Sequence, residues 1–247
     1  MWPASRRRLT AMTPLFQELD FRTTPMGDLS LRRRRILALD NLDVWEIKLG
    51  EAFLMSSLFT VVEEALAQLG LGGLAGDGLS VAVGGLGLGY TARAALQHGG
   101  VAELVVVDAL AEVIEWHRTG LVPLGPELTG DPRCRFVHGD FFALVESGSL
   151  DPSTPERKFN AILLDIDHSP KSLLSPAHAS FYSVEGLTRL REHLLPGGVF
   201  AMWSDDPPDE EFTGLLREIF VEVREHVVTF HNPVLERSSA STVYVSR

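Results

Sequence analysis

The sequence predicts an α/β protein: a Rossmann-like, doubly wound and mostly parallel sheet with an antiparallel final strand pair and a small N-terminal β-hairpin. Three observations carry this. From residue 79 to residue 203, short and fully apolar runs alternate with helix-patterned segments, as in a parallel sheet covered on both faces. A glycine-rich stretch, Gly84 to Gly89, joins the first of those runs to the helix after it. The last two apolar runs are separated only by a Pro/Ser loop, too short for a crossover helix, so they pair antiparallel.

Taken in order, residues 1–25 contain Pro3, Pro14 and Pro25 and read as a loose lead-in. Two β-type runs follow, Asp28–Arg34 and Asp43–Leu49, with Asp40-Asn41 between them as a turn signal; these predict the hairpin. A helix is expected from Phe53 to Leu69. Leu54, Leu58, Val61, Val62, Ala65, Leu66 and Leu69 recur at helical spacing, which leaves Glu63, Glu64 and Gln68 to solvent, and Gly70 ends it. Strands are expected at 79–83, 103–108, 133–140, 160–165 and 199–203. Helices are expected to begin near Thr91, to run through Ala109–Arg118 and to span Val184–Leu195. Strands at 221–230 and 241–246 close the chain.

Composition narrows the function. At 247 residues the chain supports one sizeable core. A formal charge of −11 disfavours a nucleic-acid partner, which requires clustered Lys and Arg. The runs Arg6–Arg8 and Arg32–Arg35 read as solvated segments, because alternate arginines of an extended run face opposite ways. A lone cysteine, Cys134, excludes an internal disulfide, and its apolar neighbours mark it as a small core residue. No apolar run approaches the ~20 residues that span a bilayer, and the N-terminus has no apolar signal core, so no membrane partner and a cytoplasmic location are expected. Met12 is an alternative start. His117, His193, His226 and His231 lack metal-ligand spacing, so no metal is expected.

The glycine stretch is the first chemical signal. Glycine accepts positive φ at a tight strand-to-helix bend and lets a ligand meet the backbone without a Cβ. The helix that follows offers unpaired N–H groups. Asp108 closes the next strand about twenty residues on, where a nucleotide-binding fold places an acid on the ribose. Capping of the following helix is the competing role for that acid. The spacing Gly87-x-Gly89-x-x-Ala92 also fits a dinucleotide fingerprint, which keeps an NAD-dependent enzyme open.

Residues 79–203 resemble the class I S-adenosylmethionine-dependent methyltransferase superfamily. VAVGGLGLGY is similar to its first motif, VVVDA to its ribose acid, HGDFF to the end of its third strand, and ILLDID and LLPGGVFAMW to its fourth and fifth strands. Within it, FYSVEGLTRLREHLLPGGVFAM and the N-terminal hairpin are most similar to spermidine synthases. The resemblance implies a 51–247 catalytic domain behind a 1–50 lead-in and hairpin, and S-adenosylmethionine or its decarboxylated form as cofactor. Gly84, Gly85, Gly87 and Gly89 would face that cofactor, Asp108 its ribose and Asp140 its adenine amino group, with Asp165 at the catalytic loop. It also makes a homodimer plausible. Spermidine synthases carry an acid in the glycine loop and another three residues beyond the fourth-strand acid; the matching positions here are Gly87 and His168. Losing the loop acid weakens selection for the decarboxylated donor and favours methyl transfer to a small amine-bearing substrate. Aminopropyl transfer and a non-catalytic nucleoside-binding protein are the alternatives.

In open α/β sheets the ligand crevice lies beyond the carboxyl ends of the strands. Asp165-Ile-Asp167-His168-Ser169-Pro170 and Ser204-Asp205-Asp206 are expected to meet there. An ammonium acceptor must lose a proton before it attacks, and histidine, titrating near ~6.5, is suited to take it. Asp165, Asp167 and His168 are therefore the catalytic candidates. Ser169-Pro170 reads as a helix start that leaves Asp167 and His168 in an exposed turn, and a turn histidine without chemistry is the other reading of His168. Asp205, Asp206 and Asp209 read as a solvated loop with a helix cap at Asp209. His178 and Tyr182, four residues apart, have two readings, the lining of an acceptor pocket and, as the safer one, a packed helix face; Trp203 is a further pocket candidate.

Overall fold

The computed structural model describes residues 14–234 and 236–247; the Arg6–Arg8 run and Met12 lie outside the described residues. Two sheets make the molecule. β1 (Phe16–Thr24), β2 (Gly27–Ile36), β3 (Leu42–Leu49) and β4 (Ala52–Ser56) form an antiparallel meander in the order β1-β2-β3-β4. The expected hairpin is its central pair. Its flanks correct the sequence reading: the lead-in contains β1, and the start of the expected Phe53–Leu69 helix is β4. The helical spacing of Leu54 and Leu58 yields there to ladder bonds with β3, and α1 runs from Val61 to Leu71. This sheet reaches Ser56, past the boundary expected at residue 50.

The second sheet has seven strands. β5 (Leu79–Gly84), β6 (Val101–Asp108), β7 (Cys134–His138), β8 (Phe159–Leu164) and β9 (Leu194–Ser204) are parallel, and the hairpin of β10 (Val223–Asn232) and β11 (Arg237–Ser246) joins antiparallel to β9. The order is β10-β11-β9-β8-β5-β6-β7. Strand cores such as Val81-Ala82-Val83 and Ile162-Leu163-Leu164 are buried on both faces, which is why they carry no polar alternation. Helices α2 (Tyr90–Gln97), α3 (Ala111–Arg118), α4 (Gly125–Gly130), α5 (Phe141–Ser147), α6 (Val184–Glu192) and α7 (Glu210–Ile219) link the strands. α6 stops three residues short of the expected Leu195, because Leu194 and Leu195 already belong to β9. α5 was not foreseen; Asp140 caps it, accepting from the amides of Phe142 and Ala143.

The core has two halves, one on each face of the large sheet. Leu29, Leu31 and Ile47 of the small sheet join Leu66 and Leu71 of α1 in the first half, so the small sheet is packed into the main core. Trp116 Nε1 of α3 donates to Asp20 of β1 at 2.7 Å, a second tie. Three of the four consecutive arginines pair with acids, Arg32 with Glu18, Arg34 with Glu46 and Arg35 with Asp43. They make no open basic patch. Among the described residues no helix is long and apolar enough to cross a membrane.

Parallel pairing of β5 with β6 and β8 brings three strand ends to one edge. Gly85 N donates to Val107 O at 2.9 Å, and Asp165 N donates to Gly84 O at 2.8 Å. If α1 anchors the small sheet to this core, Leu66→Ala should cost about 2–5 kcal/mol in urea unfolding, whereas Val61→Ala at the exposed end of the same helix should stay within about 0.5 kcal/mol. Equal effects would mean that α1 is not an anchor.

Candidate active site

The strand ends open into a cavity of about 460 Å³, inside the ~300–1,000 Å³ range of small-molecule sites. Its floor is the glycine loop. Gly85 and Gly87 have φ of 95° and 47°, and both line the cavity. A Cβ on Gly85 would sit 2.1 Å from the carbonyl oxygen of Asp165, so glycine is needed for the close approach of β8. At Gly87 the obstacle is the Met55 sulfur, whose Sδ also accepts from Leu88 N at 2.9 Å. Beneath the loop, buried His117 is held to about pKa 4 by desolvation and stays neutral, so its Nε2–H donates to Gly87 O at 2.9 Å. Gly84 and Gly89 pack against protein instead, Gly84 on Phe141 and Leu164, Gly89 on Leu128 and His117. Neither lines the cavity.

Asp108 lines it. One carboxylate oxygen accepts from Leu86 N at 2.9 Å and the other from Leu110 N at 2.8 Å. The acid therefore ties the glycine loop to the turn after β6, and Leu110, not Asp108, holds the cap position of α3. Burial raises its pKa, opposed by those amides. Asp140 also faces the cavity and uses Oδ1 alone to cap α5.

The candidates beyond β8 separate in space. Asp165 lines the cavity and accepts from Thr91 Oγ1 at 2.6 Å. His168 lines it too, its ring edge-on to Trp203 with centroids 6.3 Å apart. Asp167 does not. Only 3% exposed, it accepts from Leu174 N (2.7 Å), His178 Nδ1 (2.8 Å) and Tyr182 Oη (2.9 Å). The exposed turn expected here is thus corrected: Ser169 Oγ folds back on the amides of Lys171 and Ser172, no helix starts, and Asp167 turns inward to organise residues 167–182. His178, one of its partners, stacks on Phe142 at 4.0 Å and forms part of the cavity wall, the pocket-lining alternative of its two readings. Trp203, near the end of β9, and Asp205, just after it, line the wall, with Asp205 N donating to His168 O at 2.7 Å. Asp209 caps α7 as expected, and its largely covered carboxylate also pairs with Lys171.

One residue of the cavity wall is not legible in the sequence. Glu63, assigned to solvent by helical spacing, lines the cavity beside Asp165. Desolvation first, then the charge of Asp165, pushes its pKa up to about 8; desolvation raises Asp165 to about 6, against the Thr91 hydrogen bond. Both folded values exceed the ordinary carboxylate values, so the stability these groups confer is full below about pH 4 and is lost as pH rises through about 6 and then about 8. No pattern in the sequence marks Glu63, because only the docking of α1 over the loop turns it inward. Residues such as Ile47 and Phe53 of the small sheet and Phe230 of β10 complete the wall and were equally hidden.

The seven-stranded sheet of this order, the glycine loop after its first strand and the N-terminal antiparallel sheet give this chain the fold of solved spermidine synthases. No family model matches the chain. It is 30% identical over 157 residues to polyamine aminopropyltransferase 2 of Pseudomonas aeruginosa, covering 60% of this chain and 41% of that protein; the chain thus matches well under half the length of this relative. A spermidine synthase bound to the transition-state analogue AdoDATO superposes with a TM-score of 0.70 at 17% identity, over 93% of this chain and 73% of the other. The Thermotoga maritima spermidine synthase gives 0.68 at 16% identity over 93% and 72%. Human methyltransferase-like protein 13 with SAH gives 0.51 at 16% identity over 76% and 79%.

Asp167→Ala would leave the His178 ring, the Tyr182 hydroxyl and the Leu174 amide without their acceptor and should cost about 3 kcal/mol or more in urea unfolding, with Asp167→Asn milder. A loss below about 0.5 kcal/mol would remove its organising role.

Proposed function

We propose that the protein is an aminopropyltransferase that takes decarboxylated S-adenosylmethionine as donor and a small polyamine-type amine as acceptor. The observation that carries this is the cavity itself, where a side-chain-free loop and the ribose-type acid Asp108 meet an acidic and aromatic far wall of Asp165, His168, Trp203 and Asp205. The named relative and the two spermidine synthases support aminopropyl over methyl transfer.

In this reading Gly85, Gly87 and the Leu86 amide edge receive the adenosyl tail, Asp108 the ribose hydroxyls and Asp140 the adenine amino group. Charged hydrogen bonds of that kind contribute ~1.5–3 kcal/mol each. Gly84 and Gly89 shape the loop from below. A protonated acceptor amine is drawn to the acidic wall and gives a proton to His168. Its freed lone pair attacks the propyl carbon attached to the sulfonium; the C–S bond breaks, its electrons return to sulfur, and neutral methylthioadenosine leaves. Asp165 orients the cationic groups, and Asp167 acts at one remove by fixing the loop that carries His168. Trp203 offers a ring face to a cation. Methyl transfer from intact S-adenosylmethionine is the second reading, favoured by one observation: the place of the synthases' loop acid is Gly87, filled by the Met55 sulfur.

Incubated with decarboxylated S-adenosylmethionine and putrescine, the protein should release methylthioadenosine and aminopropylated amine in equal amounts, and His168→Ala should lower kcat by ~10²–10⁴. S-adenosylhomocysteine formed from the intact donor, with no methylthioadenosine from the decarboxylated one, would replace this reading with methyl transfer.

A further inference from the structure

The aminopropyl reading faces a difficulty at Gly87, where the acid that would hold the donor's ammonium is missing and the space is filled by the Met55 side chain. The structure supplies a carboxylate from elsewhere. Glu63 projects from the first turn of α1 into the same cavity, and α1 is joined to the loop helix by Thr91, whose hydroxyl reaches both Glu63 O (3.4 Å) and Asp165 Oδ2 (2.6 Å). Asp165 lies at the same loop, its backbone N bonded to Gly84 O and its carbonyl oxygen against Gly85. Two carboxylates thus line one cavity beside the loop, near enough for the charge of Asp165 to act on Glu63.

We infer that Glu63, with Asp165, forms the ammonium subsite that selects the decarboxylated donor, replacing the absent loop acid from a different element of the fold. This rests on the aminopropyl reading above. The physical reason is the state of the pair in the free protein. Neither Glu63 nor Asp165 has a cationic partner among the described residues; the nearby Arg93 is taken by Glu64 at 2.6 Å. A buried carboxylate without a partner costs free energy unless it is neutralised or given a cation. Burial and mutual repulsion keep a proton on the pair, so the empty site holds less than its full charge. A primary ammonium placed between them lets both ionise and replaces that proton. The carboxylate of intact S-adenosylmethionine, set beside the same groups, would meet like charge.

Among the described residues, the charged and titratable groups that interact with Glu63 are Asp165, Glu64 and Tyr90, and none is a cation. Ammonium binding near neutral pH therefore releases a proton from the Glu63–Asp165 pair.

Calorimetric titration with three probes tests this: 5′-methylthioadenosine, decarboxylated S-adenosylmethionine and intact S-adenosylmethionine. The wild-type protein should bind the decarboxylated donor at least about tenfold more tightly than the intact one and release a proton on doing so, read from buffers of different ionisation enthalpy. Glu63→Gln should bring the two affinities together and abolish the proton release, while its affinity for methylthioadenosine, which has no ammonium, stays within about twofold; Glu64→Gln should change none of these. If wild type and Glu63→Gln discriminate equally, or wild type does not discriminate, the subsite is not Glu63 although the adenosyl site stands. A uniform loss across all three probes would make Glu63 merely structural. If wild type binds none of the three, the aminopropyl reading fails and this inference with it.

Discussion

The close passage of β8 beside the end of β5 is the constraint on which the site depends. Asp165 donates its amide to Gly84 O, and its carbonyl lies where a Cβ on Gly85 would be. Only glycine permits that approach, and the approach fixes the position of Asp165 relative to the bend it overlooks. Strand pairing with β6 sets Asp108 on the opposite flank, where it grips the Leu86 amide. Backbone geometry, more than any side-chain bond, thus brings a bare loop and two carboxylates to one edge of the sheet.

Around this frame the wall is built by elements distant in sequence. The small sheet and α1 close one side, the segment organised by Asp167 another, and the final hairpin a third. Each contributes apolar or aromatic surface, which removes water and raises the worth of every charge left inside. That is the environment in which a carboxylate pair holds a proton when empty and a cation when filled. Met55 occupies the space that a side chain at position 87 would need: its polarizable thioether packs against the loop and takes the Leu88 amide.

The parallel strands were legible because burial on both faces leaves them as uninterrupted apolar runs, and Gly84 to Gly89 because a strand-to-helix bend needs positive φ. Asp108 and Asp140 were legible as acids at strand ends, although their hydrogen bonds to the backbone were not. The rest is tertiary. β1 has exposed residues along most of its length and so shows no strand alternation, and β4 is five residues whose spacing also suits a helix. Glu63 follows the helical period of a solvent face, and only the docking of α1 makes that face an interior one. Asp167 reads like any loop acid until Tyr182, His178 and the Leu174 amide fold around it.

The central claim is that the loop at Gly85–Gly87 cradles an adenosyl group gripped by Asp108. A crystal structure of the protein with methylthioadenosine tests it most directly. The account predicts the ribose hydroxyls within hydrogen-bond distance of Asp108, the adenine toward Asp140 and the sulfur above Gly85. A nucleoside bound away from the loop, or an Asp108 that makes no contact with the sugar, would contradict it.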